Sequence, residues 1–164
     1  MGAARGLNVL LGTTATDVSL ASLPPWALAV PVAVAAYVAG VTLVAADEAT
    51  GATRRSVVVA GGGAGVAGAV AVTLLATVGP TASVLAVGVG VALALGFLAV
   101  TGRALARAYR DPSPGTVGPV IGTCVLALVV LDSAVAAVAG VGWTLVTVAF
   151  LGPAVGLAQL FDVS

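Results

Sequence analysis

The sequence predicts an all-α fold, a polytopic bundle of transmembrane helices with about five spans and a partial helix at the N-terminus. Of its 164 residues, 60% are hydrophobic and only 7% are charged, and the mean hydropathy is +1.22. These values exclude an ordinary soluble domain. The apolar residues also form stretches of about 20, the length that a helix needs to cross the hydrocarbon core of a bilayer. We therefore treat residues 1–164 as a single membrane domain.

Five apolar stretches are long enough to span a bilayer. They occupy residues 25–46, 57–78, 82–101, 119–139 and 143–161. Before the first of them, the apolar run from Leu7 to Leu11 is too short to span, which predicts the partial helix. Pro31 and Pro153 lie inside spans, where proline is expected to kink a helix.

Small residues recur at helical spacing inside the spans. Because glycine lets two helix backbones approach closely in a membrane, we expect these positions to pack helix against helix. They are Gly61, Gly65, Gly68, Gly118, Gly122, Gly152 and Gly156.

The few polar residue types exclude several classes of function. Six Arg balance six acidic residues, so there is no basic surface for nucleic acid, and we expect no nucleic-acid partner. The chain has neither Lys nor His, which removes Schiff-base chemistry and metal sites built on imidazole. The single cysteine, Cys124, lies in an apolar run and is expected to pack as a small hydrophobic residue.

Two of the connections between spans carry Arg, namely residues 47–56 and 102–117. If the spans alternate in direction, both connections lie on one side, and the positive-inside rule makes that side cytoplasmic. We therefore expect an integral membrane protein, in the plasma membrane of a prokaryote, with these two loops in the cytoplasm. The basic residues in them are Arg54, Arg55, Arg103, Arg107 and Arg110.

The 47–56 loop combines carboxylates, guanidiniums and a hydroxyl. Asp47 and Glu48 supply the hard oxygen ligands that suit Mg²⁺, which completes its shell with water and phosphate. Arg54, Arg55 and Ser56 add phosphate-binding groups at the start of the next helix. The loop therefore predicts a magnesium and diphosphate site. The alternative is a solvated loop whose Arg follow the positive-inside rule.

Arg103, Arg107 and Arg110 recur on one face of an expected helical extension of the third span. They can hold a substrate diphosphate or the phosphates of membrane lipids. After them, Asp111 and Pro112 end the helix, and Ser113 before Pro114 is the usual cap and first-turn pair of the next one.

Asp132 is an ionisable residue near the middle of the fourth predicted span. A carboxylate at such a depth is costly and is a functional candidate by default. The alternative is a hydrogen-bonded packing residue.

Several short segments follow one another in an informative order. They are Arg5 to Gly12, Pro24-Pro25-Trp26, Tyr37 to Thr42 before Asp47, and Arg55-Ser56. Together they resemble the second half of the UbiA-type intramembrane prenyltransferases over about residues 3–60. The resemblance implies that Asp47 matches the first aspartate of the family's second Asp-rich motif, with Gly51 in place of the second aspartate and Glu48 as the nearby substitute. It also implies that Arg5 and Asn8 join the diphosphate-binding residues.

The resemblance implies a function in which Mg²⁺ holds an isoprenyl diphosphate and the isoprenyl group passes to an aromatic or other acceptor. The chain lacks the family's first motif, N-D-x-x-D-x-x-x-D, so we expect it to be inactive alone and to need a partner half or a homo-oligomer. No catalytic residue can be assigned. The alternatives are a noncatalytic multispan membrane protein that binds or transports a lipid, and a packing subunit of a larger complex.

Overall fold

The structure is a computed structural model that describes residues 25–49, 51–78 and 83–161. Within these ranges every regular element is helical, which confirms the predicted all-α class. Arg5 and Asn8 lie outside the described residues. The helices are α1 (Pro25–Ala46), α2 (Arg54–Val78), α3 (Val84–Arg110), α4 (Pro114–Ala136), a 3₁₀ turn (Ala137–Ala139), α5 (Val141–Ala149) and α6 (Leu151–Phe161).

Helices α1 to α4 are each long and apolar enough to cross a membrane. Helix α1 has the predicted bounds and runs through Pro31 without a break. Helix α3 continues nine residues past the predicted end of its span, so Arg103, Arg107 and Arg110 are helical, as expected. Helix α4 begins at Pro114 with Ser113 at the cap position, as predicted, although the Ser113 side chain accepts no capping hydrogen bond.

The last apolar stretch differs from the single predicted span over residues 143–161. It forms two short helices, α5 and α6, which are separated by a turn at Phe150. Pro153 explains the break, because proline has no N–H to donate to the carbonyl of Ala149 and is tolerated in the first turn of a helix. It therefore lies just inside the start of α6.

Successive long helices pack side by side, α1 against α2, α2 against α3 and α3 against α4. The tightest approach is between α1 and α2. A Cβ added to Gly40 would lie 2.6 Å from the Cα of Ala60, and one added to Gly63 would lie 2.8 Å from the carbonyl oxygen of Ala36. The two backbones are thus in direct contact, which requires glycine at both positions.

Only some of the glycines that we expect to pack helix against helix lie against a neighbouring segment. A Cβ at Gly68 would strike Leu98 of α3, and one at Gly118 would strike Glu48, so these two positions do face neighbours. The prediction is wrong for the others, because a Cβ there would meet no described atom within 4 Å. These outward-facing glycines are Gly61, Gly65, Gly122, Gly152 and Gly156.

The two Arg-bearing connections lie at the same end of the bundle. The backbone N–H of Ala52, between α1 and α2, donates to the carbonyl oxygen of Pro112, between α3 and α4, at 3.0 Å. This bond agrees with the predicted alternation of the spans. We call this the charged end, defined by residues 47–56 and 107–116.

Candidate functional site

Asp47 is tied to the beginning of α2. One of its carboxylate oxygens lies 3.3 Å from the hydroxyl of Ser56 and 3.5 Å from the backbone nitrogen of Thr53. The Thr53 side chain in turn accepts from the backbone N–H of Ser56 at 3.1 Å and caps the helix. The negative charge therefore lies beside the positive end of the α2 dipole, where it is favoured.

Glu48 is exposed and turns toward a different helix. One of its carboxylate oxygens lies where a Cβ on Gly118 of α4 would be only 2.8 Å away. Asp47 thus faces α2 and Glu48 faces α4. Among the described residues, no group of three or more His, Cys, Asp or Glu is arranged to hold a metal ion. A cation bound at Asp47 and Glu48 would take most of its ligands from water or phosphate, a coordination that suits Mg²⁺.

Gly51 adopts a backbone conformation and a position that only glycine accommodates without strain. Its φ is +94°, and a Cβ there would lie 2.6 Å from the carbonyl oxygen of Pro112. A side chain at this position would be strained and would also collide with the neighbouring loop. An aspartate at position 51 is therefore incompatible with this loop geometry.

Arg54 and Arg55 are exposed in the first turn of α2. The guanidinium of Arg54 lies over the ring of Tyr109 in α3, 5.4 Å from the ring centroid, a cation–π contact that links the two helices. The sequence signals Tyr109 only as an aromatic residue among the Arg of α3. The structure thus brings Asp47, Arg54, Arg55 and Ser56 together at the start of one helix.

An apolar cleft of 240 Å³, the α1–α4 cleft, separates the first and fourth helices. The hydroxyl of Tyr37 bridges the two helices, because it donates to the carbonyl oxygen of Cys124 at 2.8 Å. The Tyr37 ring is fully buried and stands edge-on against Phe97, with centroids 5.2 Å apart. The lining residues are Tyr37, Val38, Val41, Thr42, Ala45, Ile121, Cys124, Val125 and Leu128.

The α1–α4 cleft leads toward the charged end. Its lining on α1 stops at Ala45, one helical turn before Glu48, and its lining on α4 starts at Ile121, one turn after Gly118. Since Glu48 lies against Gly118, its carboxylate is placed beside the end of the cleft. An apolar groove and a group of charges therefore meet, an arrangement that suits an amphiphile.

Asp132 is half-buried and far from these charges. Because the membrane-length helix runs over Pro114–Ala139, Asp132 lies about 18 residues, or roughly 27 Å, from its start. It lies seven residues before the end of this helix and five to six residues past its midpoint, because the helix begins at Pro114, five residues before the predicted span.

Asp111 lies at the charged end, in the connection before α4. Its carboxylate accepts from the hydroxyl of Thr116 at 2.7 Å and from the backbone N–H of Ser113 at 3.2 Å. These hydrogen bonds hold the pKa of Asp111 below its ordinary value. The side chain is therefore a carboxylate at neutral pH.

Fold and site together define a class: a polytopic α-helical membrane protein with a charged end and an apolar cleft that leads to it. Comparisons of the chain with models of protein families, with curated proteins and with solved structures found no match.

Proposed function

We propose that the chain binds an isoprenyl diphosphate, with the isoprenyl chain in the α1–α4 cleft and the diphosphate at the charged end, as one half of a UbiA-like membrane prenyltransferase. The observation that carries this proposal is the junction of the cleft with Glu48 and the 47–56 loop. The junction gives one ligand an apolar and an anionic binding surface.

The cleft is suited to part of an isoprenyl chain. Its 240 Å³ exceeds the roughly 150 Å³ of an engineered apolar cavity that admits benzene. The cleft is open to the side, so the remainder of a longer chain can lie in the bilayer. Because bilayer hydrocarbon is as apolar as the cleft, chain binding gains mainly from dispersion, and the headgroup must supply most of the selectivity.

The charged end supplies that selectivity. Arg54 and Arg55 are exposed and available to a diphosphate, and the N-terminus of α2 lies beside them. Asp47 and Glu48 would hold Mg²⁺ between the protein and the diphosphate oxygens. When bound, Mg²⁺ neutralises charge that develops on a leaving diphosphate.

Transfer to an aromatic or other acceptor would need a second acidic cluster, which a partner half or a second copy would supply. We therefore propose that the chain alone binds without transferring. We also propose that it resides in a prokaryotic plasma membrane with the charged end in the cytoplasm, because the Arg of the described residues are concentrated there.

The test is binding of farnesyl diphosphate to the purified protein in detergent, with Mg²⁺ and with EDTA. We expect Mg²⁺-dependent binding that weakens at least tenfold in the double variant Asp47→Asn with Glu48→Gln, because the metal bridge is lost. Asp111→Asn is the control, since it removes a carboxylate from the same end that bonds to Ser113 and Thr116 and not to the 47–56 loop. Unchanged binding in the double variant, or an equal loss in the control, would contradict the proposal.

A second candidate is a noncatalytic protein that binds or transports a neutral lipid. It is favoured by the lining of the cleft, which is apolar apart from Thr42 and the buried Tyr37. This function predicts that farnesol binds as tightly as farnesyl diphosphate and that Mg²⁺ has no effect. Sensitivity to Asp132→Asn without sensitivity to the Asp47 and Glu48 variant would also support it.

A further inference from the structure

A second groove lies between α3 and α4 at the charged end and shares no residue with the α1–α4 cleft. It encloses 240 Å³. Ala104 and Val120 form its buried apolar wall, and the other lining residues are more exposed. Those residues are Arg107, Gly115, Thr116, Pro119 and Thr123.

The wall formed by α3 is basic. Arg107 lines the groove and is exposed, and Arg103 and Arg110 lie one turn before and one turn after it on the same exposed helix face. The groove is open at the level where α3 ends and α4 begins. In a protein whose helices span a bilayer, this is the depth of the lipid headgroups, where each Arg attracts anionic lipid.

The wall formed by α4 offers hydrogen-bond acceptors. The hydroxyl of Thr123 donates to the carbonyl oxygen of Pro119 at 2.9 Å, and the hydroxyl of Thr116 donates to Asp111. Both hydroxyl hydrogens are therefore used. The Thr116 oxygen also accepts from the Ser113 hydroxyl at 3.3 Å, which leaves it one lone pair, and the Thr123 oxygen can still accept as well. Pro119 has no N–H, so the carbonyl of Gly115 receives no helical bond from it and is also available to a donor. This wall suits a ligand that carries hydroxyl groups.

Asp111 adds a negative charge near the groove, because it is held by Thr116, one of the lining residues. This carboxylate disfavours ligands with several negative charges, such as free diphosphate. A phosphodiester with a single charge is tolerated better.

We propose that the α3–α4 groove binds an anionic phospholipid whose headgroup carries free hydroxyls, of the phosphatidylglycerol type, from the leaflet at the charged end. The phosphate lies against Arg107, the two glycerol hydroxyls donate to Thr116 and to the Gly115 carbonyl one residue away, and the first part of an acyl chain lies on Ala104 and Val120. This site is independent of the isoprenyl diphosphate site.

The experiment is native mass spectrometry of the purified protein with phosphatidylglycerol and phosphatidylcholine of identical acyl chains. We expect phosphatidylglycerol to be retained preferentially. Arg107→Gln should weaken its binding about fivefold, the effect of one Arg near a lipid phosphate. Arg103→Gln is the matched control, because it removes the same charge from an exposed position of the same helix that does not line the groove.

Three results would overturn the proposal. One is equal retention of the two lipids, and another is an equal loss in the Arg107 and Arg103 variants, which would show diffuse attraction by charge. The third is displacement of phosphatidylglycerol by millimolar inorganic phosphate, which would show a site for free anions. Both Arg are exposed, so an unchanged thermal unfolding midpoint is expected and confirms that each variant folds.

Discussion

Helix α1 has two interfaces of opposite character. Against α2 it presents Gly40 and Ala36, and the two backbones touch at Ala60 and Gly63. Against α4 it presents Tyr37, whose hydroxyl reaches across to the Cys124 carbonyl, and a cleft of 240 Å³ remains beside this bridge. The difference shows that residue size decides whether two membrane helices close on each other or leave room for a ligand.

The close interface gives the largest expected effect. In Gly63→Leu the new side chain would meet the backbone of Ala36 and Tyr37, because even a Cβ lies within 3 Å of both. Separating the helices should lower the free energy of unfolding by about 2–3 kcal/mol, the upper part of the range for overpacking. The measurement is the thermal unfolding midpoint in detergent.

Gly62→Leu is the control for this prediction. Gly62 is the adjacent residue of the same helix, and a Cβ there meets nothing within 4 Å. The substitution should be neutral or slightly stabilising, since leucine has the better helix propensity. If the two variants unfolded alike, the close contact between α1 and α2 would be refuted.

A substitution at the interface between α1 and α4 should change the free energy of unfolding by less. Tyr37→Phe keeps the ring against Phe97 but removes the hydrogen bond to the Cys124 carbonyl. Interhelical hydrogen bonds in membranes contribute about 0.6 kcal/mol on average, so a loss of about that size is expected in the same unfolding assay. Tyr109→Phe serves as the comparison, because the exposed Tyr109 contacts Arg54 through its ring and should unfold like the wild type. A loss in both variants would contradict the bridge.

Much of the fold could be predicted from the sequence, because an apolar run of about 20 residues can form little else in a membrane. Local sequence is sufficient for three features: the bounds of α1, the helical Arg residues of α3 and the start of α4 at Pro114. The break at Phe150 was only partly foreseen. Proline at position 153 predicts a kink, but it does not predict that one helix ends at Ala149 and the next begins at Leu151.

Helical spacing alone does not predict which glycines pack against a neighbouring helix. Spacing identifies which glycines share a helix face, but it does not say which face meets a neighbour. Gly61 and Gly65 form the more regular pattern, yet Gly63 lies in the contact. The direction of a face depends on the partner helix, which local sequence does not contain.

The sequence predicts which residues of the 47–56 loop lie close together, but it does not predict the arrangement of the site around them. Asp47, Arg54, Arg55 and Ser56 are close together because they flank one short loop. The turn of Glu48 toward Gly118 and the α1–α4 cleft arise between segments about 70 residues apart, so no local pattern could indicate them. The same limit applies to Gly51. A side chain at this position would collide with Pro112 of another loop, and the local sequence does not indicate that contact.

Photochemical labelling shows directly whether the α1–α4 cleft holds the isoprenyl chain. The reagent is a farnesyl diphosphate analogue that carries a diazirine on its chain, and the adducts are mapped by mass spectrometry. We expect Mg²⁺-dependent adducts on α1 and α4, at Val38, Val41, Ile121 or Val125, and their disappearance with excess farnesyl diphosphate. Adducts spread over exposed residues of α2 and α3, such as Val66 and Leu95, with no response to Mg²⁺ or competitor, would contradict it. Such a pattern would mean that the chain meets isoprenoids only as it meets any other lipid.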